Sequence, residues 1–291
     1  MKLEDCRYDG SKKFDLSQYP THAKADKKRK DEFAGLTAKN TQIMAELQEK
    51  LYADGREGVV IMIQAMDAAG KDSTIKHVMS GVNPQGVSVY GFKTPSKEEL
   101  AHDYLWRAVK NLPQRGNMAI FNRSYYEDVL VVRVKDLRKT YAMPARCLDI
   151  PEDEFFAARY RQIRDFEEYL YENGYRLLKI FLNVSPDEQR KRFLERIDTP
   201  EKNWKFSAGD LDERALWPEY MKAFQEAIAN TSTEHAPWYI IPADQKWFAR
   251  WLVSEAVVGV LRDCDPKFPQ MTEEDLAKMA ACRERLVNGE A

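Results

Sequence analysis

"IQAMDAAGKDST", residues 63–74, follows the apolar run "VVIMIQ" (59–64), and its reading decides how the rest of the chain is read. A phosphate-binding loop has Gly, four residues, Gly, Lys, then Ser or Thr, placed between a buried strand and a helix. Here Ala65 stands at the first glycine position, Gly70 and Lys71 are in place, and Asp72 occupies the hydroxyl position. Backbone N–H groups and a helix N-terminus cradle phosphate oxygens, and the lysine adds positive charge. An alanine in the first position serves this purpose where its dihedrals allow. Asp72 reads as an ordinary first-turn acid, although a carboxylate there can also take a metal, directly or through water. Asp67 lies inside the loop beside Lys71, where it opposes anion binding unless a metal or a proton transfer uses it; we therefore assign it to chemistry.

Working outward, helical spacing of Phe33, Leu36, Ile43, Leu47 and Leu51 predicts a helix over 22–53. The continuous apolar run 59–64 suits a parallel strand buried on both faces. A helix follows over about 72–79, then the turn "NPQG" (83–86) and a strand over 87–92. Ser96 and Glu99 form a capping box that opens a helix over 96–111, followed by a strand over 118–122. A helix over 152–173 leads through Gly174 to a strand over 176–184, and Ser185 caps a basic helix with Pro186 at its first position. Residues 197–216 are polar and carry no clear period. A helix near 211–230, a strand over 238–242, a helix over 246–262 and one more helix in the tail complete the order. Strands alternating with helices predict an α/β domain with a five-stranded parallel sheet covered on both faces. In such sheets ligands sit beyond the carboxyl ends of the strands, where the quoted loop lies.

Two further segments suit the same end of the sheet. "FNRSYYEDVLVVRV" (121–134) follows the third strand, where a metal-holding Asp is usual; Asn122 stands there instead, with Arg123, Glu127 and Asp128 next. Arg123 can grip a phosphoryl group with two parallel N–H bonds, or simply pair with Glu127. In the segment 187–214, Arg192 and Arg196 are four residues apart and share a helix face, and Lys202 and Lys205 flank Asn203 and Trp204. A basic segment after the fourth strand suits a lid that closes over transferring phosphate; a solvated basic helix and loop is the plainer reading, and the loop upstream favours the lid. The aromatic run "WYIIPADQKWFARW" (238–251) sits on a strand and a helix, so core packing accounts for it better than base stacking does.

The bulk properties agree with a soluble globular protein. The 291 residues are 44% hydrophobic and 32% charged with net charge −2, yet Lys71–Arg146 holds 13 Lys and Arg against 7 Asp and Glu. That local excess suits an anionic ligand, or equally a solvated charged face. Cys6, Cys147, Cys264 and Cys282 form no CxxC pair, and the four histidines show no zinc spacing. The N-terminus lacks a signal-peptide core and no apolar run reaches 18 residues, so a cytoplasmic protein with no membrane or nucleic-acid partner is expected.

The stretches "GVVIMIQAMDAAGKDSTIKHVMSGVNPQGVSV", "IFNRSYYEDVLVVRV", "RIDTPEKNWKFS" and "HAPWYIIPADQKWFARW" together resemble polyphosphate kinase family 2 over roughly residues 30–262. The resemblance implies a thymidylate-kinase-like P-loop kinase fold of three layers with a helical lid at about 190–216. It implies one domain, with an N-terminal helical extension (about 1–55), a core (about 56–262) and a helical tail (263–291). It also implies Mg²⁺-dependent (Mn²⁺ as substitute) phosphoryl transfer between inorganic polyphosphate and adenine or guanine nucleotides, in a homo-oligomer, dimer or tetramer. By motif, Asp67 and Lys71 are the loop's functional pair, Arg123 the arginine after the third strand, and Arg192 and Arg196 lid arginines. Ala68, Ala69, Gly70, Asp72, Ser73, Asn122, Glu127 and Lys205 complete the expected binding set, with Asp67 and Glu127 as metal ligands. Asn122 departs from members with Asp there. Glu127 resembles the family's third class, which phosphorylates nucleoside mono- and diphosphates. The rival readings are an ATP-dependent nucleoside monophosphate kinase and a non-catalytic nucleotide-binding module.

Overall fold

The computed structural model describes residues 1–290. Its centre is strand β2 (Gly58–Gln64), every residue of which is buried. The unbroken hydrophobic run from Val59 to Ile63, rather than alternation, leaves neither face of this strand for water. The strands β1 (Arg7–Tyr8), β3 (Val87–Gly91), β4 (Met118–Asn122), β5 (Tyr175–Asn183) and β6 (Trp238–Pro242) join it in the order β1-β6-β5-β2-β4-β3. The expected five-stranded parallel sheet is therefore corrected to six strands and a mixed sheet. The strands β2 to β6 pair in parallel, and β1 adds antiparallel to β6 through Arg7↔Tyr239 and Tyr8↔Trp238. Two residues are too short to show any period, which is why β1 is invisible in the sequence.

Helix Lys246–Asp263 packs on one face of the sheet with helix Lys71–Val78 beside it, and helix Lys30–Asp54 packs along it. Phe33 locks helix Lys30–Asp54 down, its ring 4.8 Å from Trp251, 5.0 Å from Phe248 and 5.4 Å from Trp247. The aromatic run thus belongs to the core, as expected. On the other face, Phe181 of β5 stacks on Phe224 at 4.2 Å, under helices Glu152–Glu172 and Trp217–Thr231.

Three expected helices differ in extent, each for a local reason. The first begins at Lys30, after a 3-10 turn capped by Asp26, and ends at Gly55 with φ 67°, a left-handed closure that glycine adopts freely. The capping box of Ser96 and Glu99 is present, but its helix stops at Leu100 and a second turn runs from Trp106 to Val109. Between them the Asp103 side chain accepts the Leu105 N–H at 2.9 Å, a local bond that competes with the helix. The segment 211–230 divides at Leu216 into Gly209–Ala215 and Trp217–Thr231. Pro218 at the start of the second helix has no N–H to continue the first. The polar stretch 197–216 contains the 3-10 helix Pro200–Lys205. Ser185 caps helix Pro186–Asp198 as expected, by accepting the Glu188 N–H. All four cysteines are free, and no helix among the described residues is long and apolar enough to cross a membrane.

Candidate active site

The sheet order places the end of β2 between the ends of β4 and β5, so the segments that follow these three strands converge. The loop after β2 turns through two left-handed residues, Ala68 (φ 59°) and Gly70 (φ 108°), before helix Lys71–Val78 begins. Glycine meets the second of these without strain; Ala68 carries a cost of order 1–3 kcal/mol, the kind of strain that surrounding structure must over-determine. The surrounding structure is helix Pro186–Asp198. Gln189 Nε2 donates to Asp67 O at 2.9 Å, and Arg192 Nη1 donates to Ala68 O at 3.1 Å and Ala69 O at 2.6 Å. Three successive loop carbonyls are thereby turned towards this helix. The N–H groups of Ala68 and Gly70 have no acceptor among the described residues, whereas that of Ala69 bonds back to Met66 O at 3.3 Å. A loop with its carbonyls tied behind it and amides left over is suited to an anion.

Arg192 thus lies where the lid expectation does not put it. It is 4% exposed, and its remaining donors go to Ala243 O, Asp244 O and Glu188 Oε1. With four carbonyls and the Glu188 carboxylate taking its donors, the guanidinium supports the loop from behind. Helix periodicity shows which residues share a face but not what that face meets. Arg192→Met would leave these carbonyls without donors, at a cost of about 3 kcal/mol. The expected result is a thermal midpoint lower by roughly 6 °C, at about 2 °C per kcal/mol for a chain of this size; an unchanged melting curve would count against the assignment.

Lys71 is 8% exposed and folded onto its own loop, with Nζ donating to Ala65 O at 2.9 Å and Met66 O at 3.4 Å. Burial, helped by the nearby Arg123 charge, pushes its pKa down to about 8. Asp72 accepts Asn122 Nδ2 at 2.7 Å and lies 3.9 Å from Lys205 Nζ, so it joins the helix start, the end of β4 and the 3-10 helix Pro200–Lys205. Ser73 turns its hydroxyl onto Gly70 O at 3.0 Å.

Arg123 follows β4 with φ 64° and ties its backbone N–H to Ile63 O of β2 at 3.0 Å. Its guanidinium lies between two carboxylates: Nη2 donates to Asp67 Oδ1 at 2.7 Å, and Nη1 to Glu127 Oε2 at 3.1 Å. Burial opposes its charge, but these two carboxylates outweigh that and raise its pKa. Asp67, Arg123 and Glu127 line a cavity of 320 Å³ whose other walls include Asp210, Glu213 and Tyr220. Burial and then the Asp67 charge raise the Asp210 carboxyl above its ordinary value, and Arg196 stands 3.5 Å from the same carboxylate. Gln189, Asp210 and Glu213 escape sequence reading because nothing in "GDLDER" or on a basic helix marks which polar side chain points inward.

A second cavity, of 420 Å³, opens beside the first and shares Arg123 and Glu127 with it. Its walls are largely apolar, with Phe92, Val131, Leu137 and Met143 among them. Asp128 and Arg159 pair at 2.9 Å in its wall, and burial raises the Asp128 carboxyl against the pull of that arginine.

No group of three or more metal-ligating side chains occurs among the described residues. A Mg²⁺ held by phosphates needs only one or two carboxylates. Asp67 Oδ2 and Glu127 Oε1, the oxygens that Arg123 does not use, take no other hydrogen bond among the described residues. The hard oxygen donors therefore fit such an ion.

Comparison with known proteins identifies the family. The sequence model of polyphosphate kinase 2 (PPK2) matches residues 26–269. The chain is 44% identical over 288 residues to an ADP-polyphosphate phosphotransferase of Rhodopseudomonas palustris, covering 99% of each. It is 50% identical over 227 residues to an AMP/ADP-polyphosphate phosphotransferase of Meiothermus ruber, covering 78% of this chain and 80% of that one. Its structure superposes on the crystal structure of polyphosphate kinase 2 from Arthrobacter aurescens TC1 with a TM-score of 0.86 and 38% identity, over 97% of this chain and 96% of that one. With the family's sequence pattern spanning most of its length and a solved member matching its fold, the chain belongs to the polyphosphate kinase 2 family.

Proposed function

We propose that the protein transfers phosphoryl groups between inorganic polyphosphate and AMP or ADP, as a P-loop kinase of the thymidylate-kinase-like type. The observation that carries this reading is the convergence of the Lys71 loop, Arg123 and two carboxylates on one small polar cavity that opens into a larger, mostly apolar one. The larger volume, 420 Å³, falls within the range of small-molecule sites and suits a nucleoside. The smaller cavity then lies at the point of transfer.

Phosphoryl transfer depends on positioning and on neutralising charge spread over the phosphate oxygens. The loop amides and Lys71 hold the donor phosphate. Arg123 faces the transferring group, its direction set by Asp67 and Glu127. Within the lid expected at about 190–216, the part beyond Arg192 covers the site: Lys205 reaches Asp72 at the loop, and Arg196 stands beside Asp210 of the cavity wall. Asp67 and Glu127 would hold Mg²⁺, which would supply neutralisation of phosphate charge. Glu127, at the mouth shared by the two cavities, suits the shorter reach of a nucleoside monophosphate.

The test is incubation of AMP with polyphosphate and Mg²⁺ in the absence of ATP. ADP and then ATP should form. Phosphorylation of AMP that starts only when ATP is added would favour an ordinary monophosphate kinase, and nucleotide binding without turnover would favour a non-catalytic module.

A further inference from the structure

Beneath the site lies an ion pair that touches neither cavity. Lys179 of β5 and Glu167 of helix Glu152–Glu172 are both 0% exposed, 2.6 Å apart. All three ammonium protons have acceptors: Glu167 Oε2, Thr231 O at 2.8 Å and the Tyr126 hydroxyl at 3.2 Å. The other carboxylate oxygen, Oε1, accepts the hydroxyls of Tyr125 at 2.9 Å and Tyr126 at 2.8 Å. Burying two charges is an inefficient way to gain stability, since well-packed apolar residues do as well or better. What this pair provides is direction, because charge-assisted bonds to a fixed carboxylate allow each hydroxyl little latitude.

The direction bears on the active site. Tyr125 and Tyr126 stand between Arg123 and Glu127 in the chain, within the turn that Ser124 caps, and Tyr125 also lines the larger cavity. Arg123 sits in the left-handed region at φ 64°, a backbone state that its own side chain does not favour. Its N–H is tied to Ile63 O, and the two residues after Ser124 are tyrosines anchored from below on Glu167. Burial and the Glu167 charge raise both tyrosines well above their ordinary pKa, so both remain hydrogen-bond donors.

We infer that Glu167 and Lys179 are positioning residues for phosphoryl transfer, acting through Tyr125 and Tyr126 to hold Arg123 and Glu127 at the substrate. The inference rests on the reading of Arg123 as a substrate-facing group, so Arg123→Ala is measured alongside.

The test compares Tyr125→Phe, Tyr126→Phe and the charge-neutral double variant Glu167→Gln/Lys179→Met, at a temperature where circular dichroism shows each fully folded. The two tyrosine variants decide the question if the double variant does not fold. Turnover per folded enzyme should fall by roughly tenfold or more, the scale of a small misplacement of catalytic groups, while KM for polyphosphate stays within about twofold. A merely structural role would lower the melting temperature and leave turnover per folded enzyme at the parent value. That result, with Arg123→Ala strongly impaired, would overturn this inference alone. A parent-like rate in Arg123→Ala would overturn the site assignment and this inference with it.

Discussion

Replacing Lys71 with methionine is expected to lower turnover at least ~100-fold, the scale of removing a key electrostatic group from a preorganised site. The side chain is buried and sits at the first turn of helix Lys71–Val78, where its charge adds to that of the helix N-terminus. Methionine keeps the length and the apolar stem, so the loss reports the charge. Without substrate, the ammonium has only the carbonyls of Ala65 and Met66 as partners. An arriving phosphate gives it a full counter-charge. Burial has already pushed its pKa down to about 8 in the free protein. Below that pH the group is charged and attracts phosphate; above it the group is neutral and does not. The value of kcat/KM should therefore fall as pH rises through about 8. Lys71→Arg, which stays charged, should move that fall to higher pH even at reduced rate. Turnover within tenfold of the parent in Lys71→Met would remove Lys71 from the mechanism.

Asp67→Asn is expected to cost a similar factor, at least ~100-fold. The substitution keeps the size of the side chain and removes its charge. Three consequences follow from the geometry. Arg123 loses one of the two carboxylates that orient it, the one at 2.7 Å. The Asp210 carboxyl, raised in part by the Asp67 charge, returns towards its ordinary value. The proposed cation site loses one of its two carboxylates, so the Mg²⁺ concentration for half-maximal rate should rise. Steady-state rates across a Mg²⁺ titration separate these effects, because added cation restores occupancy but not the direction of Arg123. A rate near the parent's at ordinary Mg²⁺ would exclude Asp67 from a central role.

The site was legible where chemistry is carried by residue type at fixed spacing. Asp67 and Asp72 around the loop after one apolar strand, and Asn122, Arg123 and Glu127 at the end of another, are side chains that the structure joins by hydrogen bonds, Arg123 to Asp67 and Glu127 and Asn122 to Asp72. The helix after β5 was legible as a helix, with its cap and its basic face, but its role was not. Arg192 and Arg196 share a face, yet one is saturated behind the loop while the other stands beside Asp210. Gln189, Asp210, Glu167 and Lys179 carry no local signal, because each gains its role from a partner far away in the chain.

The sequence alone determined the parallel core of the fold, because runs such as "VVIMIQ" leave a strand no face for water, and alternation with helices forces parallel pairing. It also marked the candidate phosphate loop, since glycine, lysine and helix start must be contiguous to form such a cradle. Tertiary structure decided the rest: the antiparallel edge β1, the carbonyl ties that hold the loop open to an anion, and the buried pair under Arg123. These depend on hydrogen bonds between residues distant in the chain, whose partners only the packed sheet and helices bring together.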